Sequence, residues 1–278
     1  MDYYLLLEDQ VIFDLNKYNL KVFIIGSGNV ASHLSKALKA NGISVSGIFS
    51  RNENDGRTIA YKIDTQWYGK LKSIPKDSNI YLICVSDGAI QEIVSQLPKS
   101  IKKSKIIAHT SGSISIKESL IECKNGGVFY PLQTFTKDKR ISYKSIPFCI
   151  NGTNKKTIRI LAELGNSISE SVQTINDNQR KIIHLSAVMI NNFVNHLIYV
   201  SEDLLLKENV DPEILQPLLL ETIQKQINLG PFDAQTGPAR RLDAQTLASH
   251  LDLLAQNKPY KAMYMAISKS IQKTYKNY

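Results

Sequence analysis

The stretch Lys21-Val22-Phe23-Ile24-Ile25-Gly26-Ser27-Gly28-Asn29-Val30-Ala31 decides the fold. Its first five residues make a short, largely apolar run of strand type, which the glycines end. From Val30 to Ala40 the apolar positions Val30, Leu34 and Leu38 return at helical spacing, and Asn41-Gly42 closes that helix. Residues 44–49 then read as a second strand. Strand, glycine turn, helix and strand together have the length that a right-handed crossover between parallel strands requires.

Outward from this unit the alternation continues. A helix is predicted near 55–61, a strand over 80–85, a helix over 88–97 and a strand over 105–108, with further strands at 127–130 and 147–151. Such alternation predicts an α/β architecture, a parallel sheet of Rossmann type covered on both faces. Beyond about Thr153 the pattern changes to helices over 177–207, 212–229, 242–254 and from Pro259 to the end. The expected organisation is a dinucleotide-binding domain over 1–152, with an N-terminal extension over 1–20, and an all-helical domain over 153–278. The helix at 155–164 could still pack on the first domain.

Composition narrows the class. The chain has 278 residues, enough for two cores, with 43% hydrophobic and 21% charged residues, the balance of a globular protein. Its apolar runs fall far short of the roughly 20 residues that span a bilayer. The first twenty residues lack the pattern of a secretory signal, so a cytoplasmic protein without membrane contact is expected. The net charge of +9 is spread among scattered lysines, with denser clusters at Lys102-Lys103-Lys105 and over 258–276, and no nucleic-acid motif accompanies it. Cys84, Cys123 and Cys149 are odd in number and widely spaced, which predicts reduced, structural thiols. The five histidines show no metal-ligand spacing.

The glycine turn has the chemistry of a pyrophosphate cradle. Gly26 allows the tight turn, Gly28 admits close approach of a phosphate, and Ala31 is small enough for close helix packing. Ser27, Asn29 and Val30 complete the turn, whose free amides and positive helix end favour an anion. At the end of the second strand, where NAD-binding versions carry an acid, stand Ser50 and Arg51. A carboxylate would repel a 2′-phosphate, whereas Arg51 can pair with it and Ser50 can donate to it, so NADP is expected. Glu53 and Asp55 follow closely and weigh the other way. Val85 and Ser86 at the end of a third strand, and Thr110 and Ser111 after a fourth, are expected to border the same cofactor.

Five segments carry a family resemblance: Gly26-Ser27-Gly28-Asn29-Val30-Ala31, His109-Thr110-Ser111-Gly112-Ser113, Tyr130-Pro131-Leu132-Gln133-Thr134-Phe135, Asn192-Phe193-Val194-Asn195-His196-Leu197 and Gln235-Thr236-Gly237-Pro238-Ala239. Through them the chain resembles Rossmann-like proteins with a C-terminal helical domain, relatives of pyrroline-5-carboxylate reductase and the deazaflavin-dependent NADP oxidoreductases. The resemblance implies that fold and an NADP cofactor, without a defined substrate. Related hydroxyacid dehydrogenases use a helix lysine paired with an asparagine. Lys181 has no such partner at the expected spacing, so that acid catalysis is not carried over.

Three residues are the catalytic candidates. His109 follows a strand at the edge where ligands bind in such sheets and could act as an acid or base. Asn192 and His196 are four apart, hence on one helix face, and are expected to meet it at a cleft between the domains. The competing reading makes Ser111 and Ser113 turn or helix caps, and makes the asparagine stripe an internally bonded helix face. Arg240 or Arg241 could hold a substrate carboxylate, and Asp243 could cap a helix instead. The leading function is an NADP-dependent oxidoreductase moving a hydride to or from a small carbonyl or imine, as a homodimer. A non-catalytic NADP-binding sensor or regulatory module is the alternative.

Overall fold

The computed structural model describes residues 20–276. The expected N-terminal extension lies, apart from Leu20, outside them. Strand β1 (Lys21–Ile25) runs into helix α1 (Asn29–Ala40), then β2 (Ser44–Phe49), α2 (Glu53–Lys62), β3 (Trp67–Tyr68) and β4 (Ile80–Ile83). Helices α3 (Ile90–Gln96) and α4 (Lys99–Ser104), strand β5 (Ile106–His109), helix α5 (Ile116–Ser119) and strands β6 (Asn125–Pro131) and β7 (Phe148–Gly152) follow. Helix α6 (Lys155–Asn166) and strand β8 (Val172–Thr174) complete an eight-stranded sheet of order β3-β2-β1-β4-β5-β6-β7-β8.

The sheet is parallel from β3 through β6, as the alternation predicts, but β7 runs antiparallel to β6. The chain leaves β6 without a crossover helix, which a parallel return would need. The segment over 132–147 instead folds back across α1. Asn29 Nδ2 donates to the Phe135 carbonyl at 2.8 Å, and buried His33 lies 2.9 Å from the Thr136 carbonyl and 3.0 Å from the Tyr143 hydroxyl. The sheet, with α6 and β8, thus continues past the boundary expected at residue 152. Two compact units divide between Asn191 and Asn192.

Strand pleating sorts the core. Val22, Ile24, Ile48, Ile80 and Leu82 face α1, α2 and α6 with Leu34, Leu38 and Leu161, while Phe23, Ile25, Tyr81, Ile83 and Ile107 face α3 to α5 with Ile90, Ile93 and Ile101. Each such side chain stabilises the fold by about 1.5 to 3 kcal/mol on burial. The lysine cluster at 102–105 is not wholly solvated, because Lys102 is buried and paired with Glu122. The three cysteines are free and buried.

Helix α7 (Asp177–Ala187) closes the first unit. Its N-terminus carries a capping box in which the Asn176 and Gln179 side chains satisfy each other's backbone amides. A π-helical turn (Val188–Phe193) carries the chain into α8 (Val194–Lys207), followed by α9 (Gln216–Leu229), α10 (Pro231–Ala234), α11 (Ala244–Leu253) and α12 (Lys258–Tyr275). Within the second unit only Val200, Ala239 and Leu254 are buried among the described residues. No helix among the described residues is long and apolar enough to cross a membrane.

Candidate functional site

Strand register builds the site. Phe49, Ile25, Ile83, His109 and Val128 form one row across β2, β1, β4, β5 and β6. The residues just beyond that row stand at the carboxyl edge. Strand order reverses direction between β1 and β4, the switch point at which open α/β sheets hold ligands. A cleft of about 420 Å³ lies there, lined by Gly26 to Val30, by Ser50, Arg51 and Asn52, and by Val85, Ser86 and Thr110. Ten of the twelve cofactor candidates therefore line one cavity. Ala31 and Ser111, both buried, do not.

The cleft suits a pyrophosphate. Gly26 has φ +129°, and a Cβ there would sit 2.2 Å from the Cys84 carbonyl oxygen, so the turn needs glycine. A Cβ on Gly28 would meet nothing within 4 Å, which leaves open space above the turn. Helix α1 has neither a side-chain cap nor an acid in its first turn. By contrast, α2, α6, α7, α11 and α12 are each capped by an Asn or Asp side chain. The first amides of α1 are thus left for an external acceptor.

At the other end of the cleft Arg51 is exposed and meets no partner among the described residues. Both neighbouring acids are engaged. Glu53 accepts from Arg57 Nε at 2.7 Å, and Asp55 accepts from Lys137 Nζ at 2.8 Å. Arg57 also stacks 4.7 Å above Trp67. Ser50 is turned inward: its hydroxyl donates to the Asn52 carbonyl at 2.6 Å and accepts from Trp67 Nε1 at 3.1 Å. It shapes the loop that carries Arg51.

Of the catalytic candidates, His109 stands in the first unit, and Asn192 and His196 in the second. Strand β5 extends to His109, whose side chain continues the apolar row of Ile25 and Ile83 and is fully buried. Its Nδ1 accepts from the Ser111 amide at 3.2 Å, and its Nε2 has no partner among the described residues. Burial, helped by the nearby Arg180 charge, pushes its pKa down to about 4, against the opposing pull of Asp177 and Asp87. At neutral pH His109 is an uncharged, buried group at the carboxyl end of β5. Ser111 accepts from the Ser113 and Ile114 amides, and Ser113 hydrogen-bonds Asp87, so both serines shape the loop. The helix cap itself is Ser115.

Asn192 and His196 are exposed in the second unit, where the His196 ring stacks on Tyr199 with centroids 6.0 Å apart. Among the described residues, Asn191, Asn192 and Asn195 are all exposed. In the turn before α11, Arg240 donates to the Gln235 carbonyl and lies 4.9 Å from the Tyr275 ring, while Asp243 caps α11.

Sequence reasoning passed over a second cluster beside Thr110. The Tyr130 hydroxyl lies 3.1 Å from His184 Nδ1, and a Cβ on Gly112 would meet that same nitrogen at 2.5 Å. Gly112 has no positive φ, so the glycine there answers to a neighbouring ring and not to the backbone. That was the available signal. Buried Arg180, one turn before His184, donates to Asp177 at 2.7 Å and to the Ile114 carbonyl, and the Ile116 amide donates to Asp177 at 3.0 Å. These bonds fasten α7 to the loop after β5. Among the described residues no cluster of His, Cys, Asp and Glu could hold a metal ion.

The comparisons agree with this architecture. Residues 8–128 match a Rossmann-like domain, and residues 146–271 match a domain of unknown function, DUF2520. A Bacteroides fragilis protein, provisionally named an NADP oxidoreductase, is 32% identical, with 91% of this chain and 98% of that chain covered at a TM-score of 0.82. The protein belongs to the same family, and in this chain a Rossmann-like domain precedes a DUF2520 domain. The fold is shared more widely. An imine reductase from Myxococcus stipitatus in complex with NADP+ aligns over 92% of this chain and 94% of its own at 12% identity and TM-score 0.65. 1-Pyrroline-5-carboxylate reductase from Streptococcus pyogenes aligns over 93% and 99% at 14% identity and TM-score 0.60. No curated protein matches the sequence.

Proposed function

We propose that the protein is an NADP-dependent oxidoreductase that moves a hydride to or from a small carbonyl or imine carbon. One observation carries the choice of cofactor: Arg51 meets no partner among the described residues of the cleft, while Glu53 and Asp55 are each paired with a cation of the chain. A 2′-phosphate placed there would meet a free guanidinium and no free carboxylate. The name of the Bacteroides fragilis relative supports the same reading. NADP supplies the hydride chemistry; the glycine turn and the first amides of α1 would hold its pyrophosphate, with Val85, Ser86 and Thr110 along the path toward its reactive ring.

Calorimetric titration tests this. A charge-assisted contact of about 1.5 to 3 kcal/mol makes NADPH bind at least about tenfold more tightly than NADH. Arg51→Ala should remove most of that preference and leave NADH affinity unchanged. Equal affinities in the native protein, or an unaltered preference in the variant, would remove the argument.

The same proposal includes a homodimer built on the second unit. Leu218, Leu220, Ile223 and Ile227 of α9 are between 51% and 73% exposed, far more apolar surface than a small monomeric unit leaves in water. A second copy is the commonest cover. Light scattering at micromolar concentration should return twice the chain mass, and a monomer throughout that range counts against it.

A further inference from the structure

We propose that His184 is the proton donor of this site and that Tyr130 positions its ring. The inference rests on the oxidoreductase reading above. Two of the five recognisable segments, one ending β5 and the other ending β6, converge on this one imidazole through Gly112 and Tyr130. Neither contact is needed by the backbone of its own segment. His184 also stands where such a group is wanted: Thr110 lines the cleft on the side away from Arg51, and Gly112, two residues on, touches the ring.

The ring's freedom is already spent. Arg180 and His184 share one face of α7, and the Arg180 and Asp177 bonds to the loop around Ile114 and Ile116 fix that face toward the sheet edge. The Tyr130 hydroxyl then sets the ring plane. Burial pushes the Tyr130 pKa up to about 12, so it stays a phenol, and the proposal has its oxygen accept from His184 Nδ1–H across the 3.1 Å contact. Nε2 meets no partner among the described residues and is the atom left for substrate. Fully buried His109 lacks this access.

The step balances simply. The hydride and its electron pair are delivered to the substrate carbon, which is reduced as dihydronicotinamide is oxidised, and the carbonyl π pair moves onto oxygen. That oxygen takes the Nε2 proton of protonated His184, giving the alcohol and a neutral imidazole. The half-buried ring recovers its proton from solvent, while Nδ1–H stays on the Tyr130 oxygen. An imine is served in the same way at nitrogen.

The full-length protein is assayed by NADPH oxidation with pyruvate, acetaldehyde and a small cyclic imine as probes, beside calorimetric NADPH binding. His184→Ala should lower kcat by about a hundredfold to ten-thousandfold, the usual contribution of a positioned acid, and leave NADPH affinity within about twofold. Imidazole in the buffer should restore part of that loss, which a purely structural histidine would not allow. Independently of turnover, nitrogen NMR of the protein without cofactor should find neutral His184 protonated on Nδ1, and Tyr130→Phe should abolish that preference. A native protein that oxidises NADPH while His184→Ala keeps kcat within about threefold overturns this inference alone. Native protein that turns over none of the probes sinks the oxidoreductase reading as well. An Nε2–H tautomer in the native spectrum overturns the role given to Tyr130.

Discussion

Arg180→Ala should destabilise the protein by about 3 kcal/mol or more, the range for removing one partner of a buried ion pair. The guanidinium is fully buried, and both of its terminal nitrogens are bonded, one to the Asp177 carboxylate and one to the Ile114 carbonyl. Truncation leaves a cavity, an acceptor without its donor and a carboxylate without its cation. Arg180→Lys should rescue little, because one ammonium cannot reproduce a fork that reaches a helix acid and a loop carbonyl together. Urea unfolding at neutral pH checks this, and a loss below about 1 kcal/mol would mean that the two contacts carry no weight.

The second large effect is at the glycine turn, where two neighbouring glycines should behave in opposite ways. Gly26→Ala forces a Cβ against the Cys84 carbonyl at a backbone angle that L side chains rarely adopt, and should cost at least about 2 kcal/mol. Gly28→Ala meets no protein atom and should stay within about 1 kcal/mol of native stability. Its methyl group projects into the space assigned to the pyrophosphate, so NADPH affinity should fall at least about tenfold in a protein that is still folded. Thermal unfolding beside calorimetric titration separates the two. Unchanged NADPH binding by Gly28→Ala would show that the cleft holds its ligand elsewhere.

The elements that the sequence displayed were those with internal periodicity. Leu34 and Leu38 announce α1, and the β1–glycine–α1–β2 unit lies within one short span of chain. Strands β3 and β8 escaped notice because two or three residues have no period; neighbouring strands make them, not their own pattern. The antiparallel β7 was hidden because direction depends on the path taken over 132–147, which hangs on Asn29 and His33.

The site divided along the same line. Cofactor candidates came from one motif and its strand ends, and ten of them line one cleft. His109 looked like the first residue of a loop, and a single added residue of strand pairing made it the last residue of a core row. His184 and Tyr130 are 54 residues apart, so no spacing rule joins them.

The segment over 132–147 has a consequence for how such proteins can be recombined. The Rossmann-like half is recognisable up to residue 128, inside β6, which invites its treatment as an exchangeable cassette. Cutting there would strip β6 of its antiparallel partner and open a hydrogen-bonding edge to other chains. It would also strand His33, a buried imidazole whose two nitrogens are both answered from beyond the cut. The smallest transplantable nucleotide-binding piece therefore includes the returning segment and its strand, and its true seam lies in the second half of the sequence.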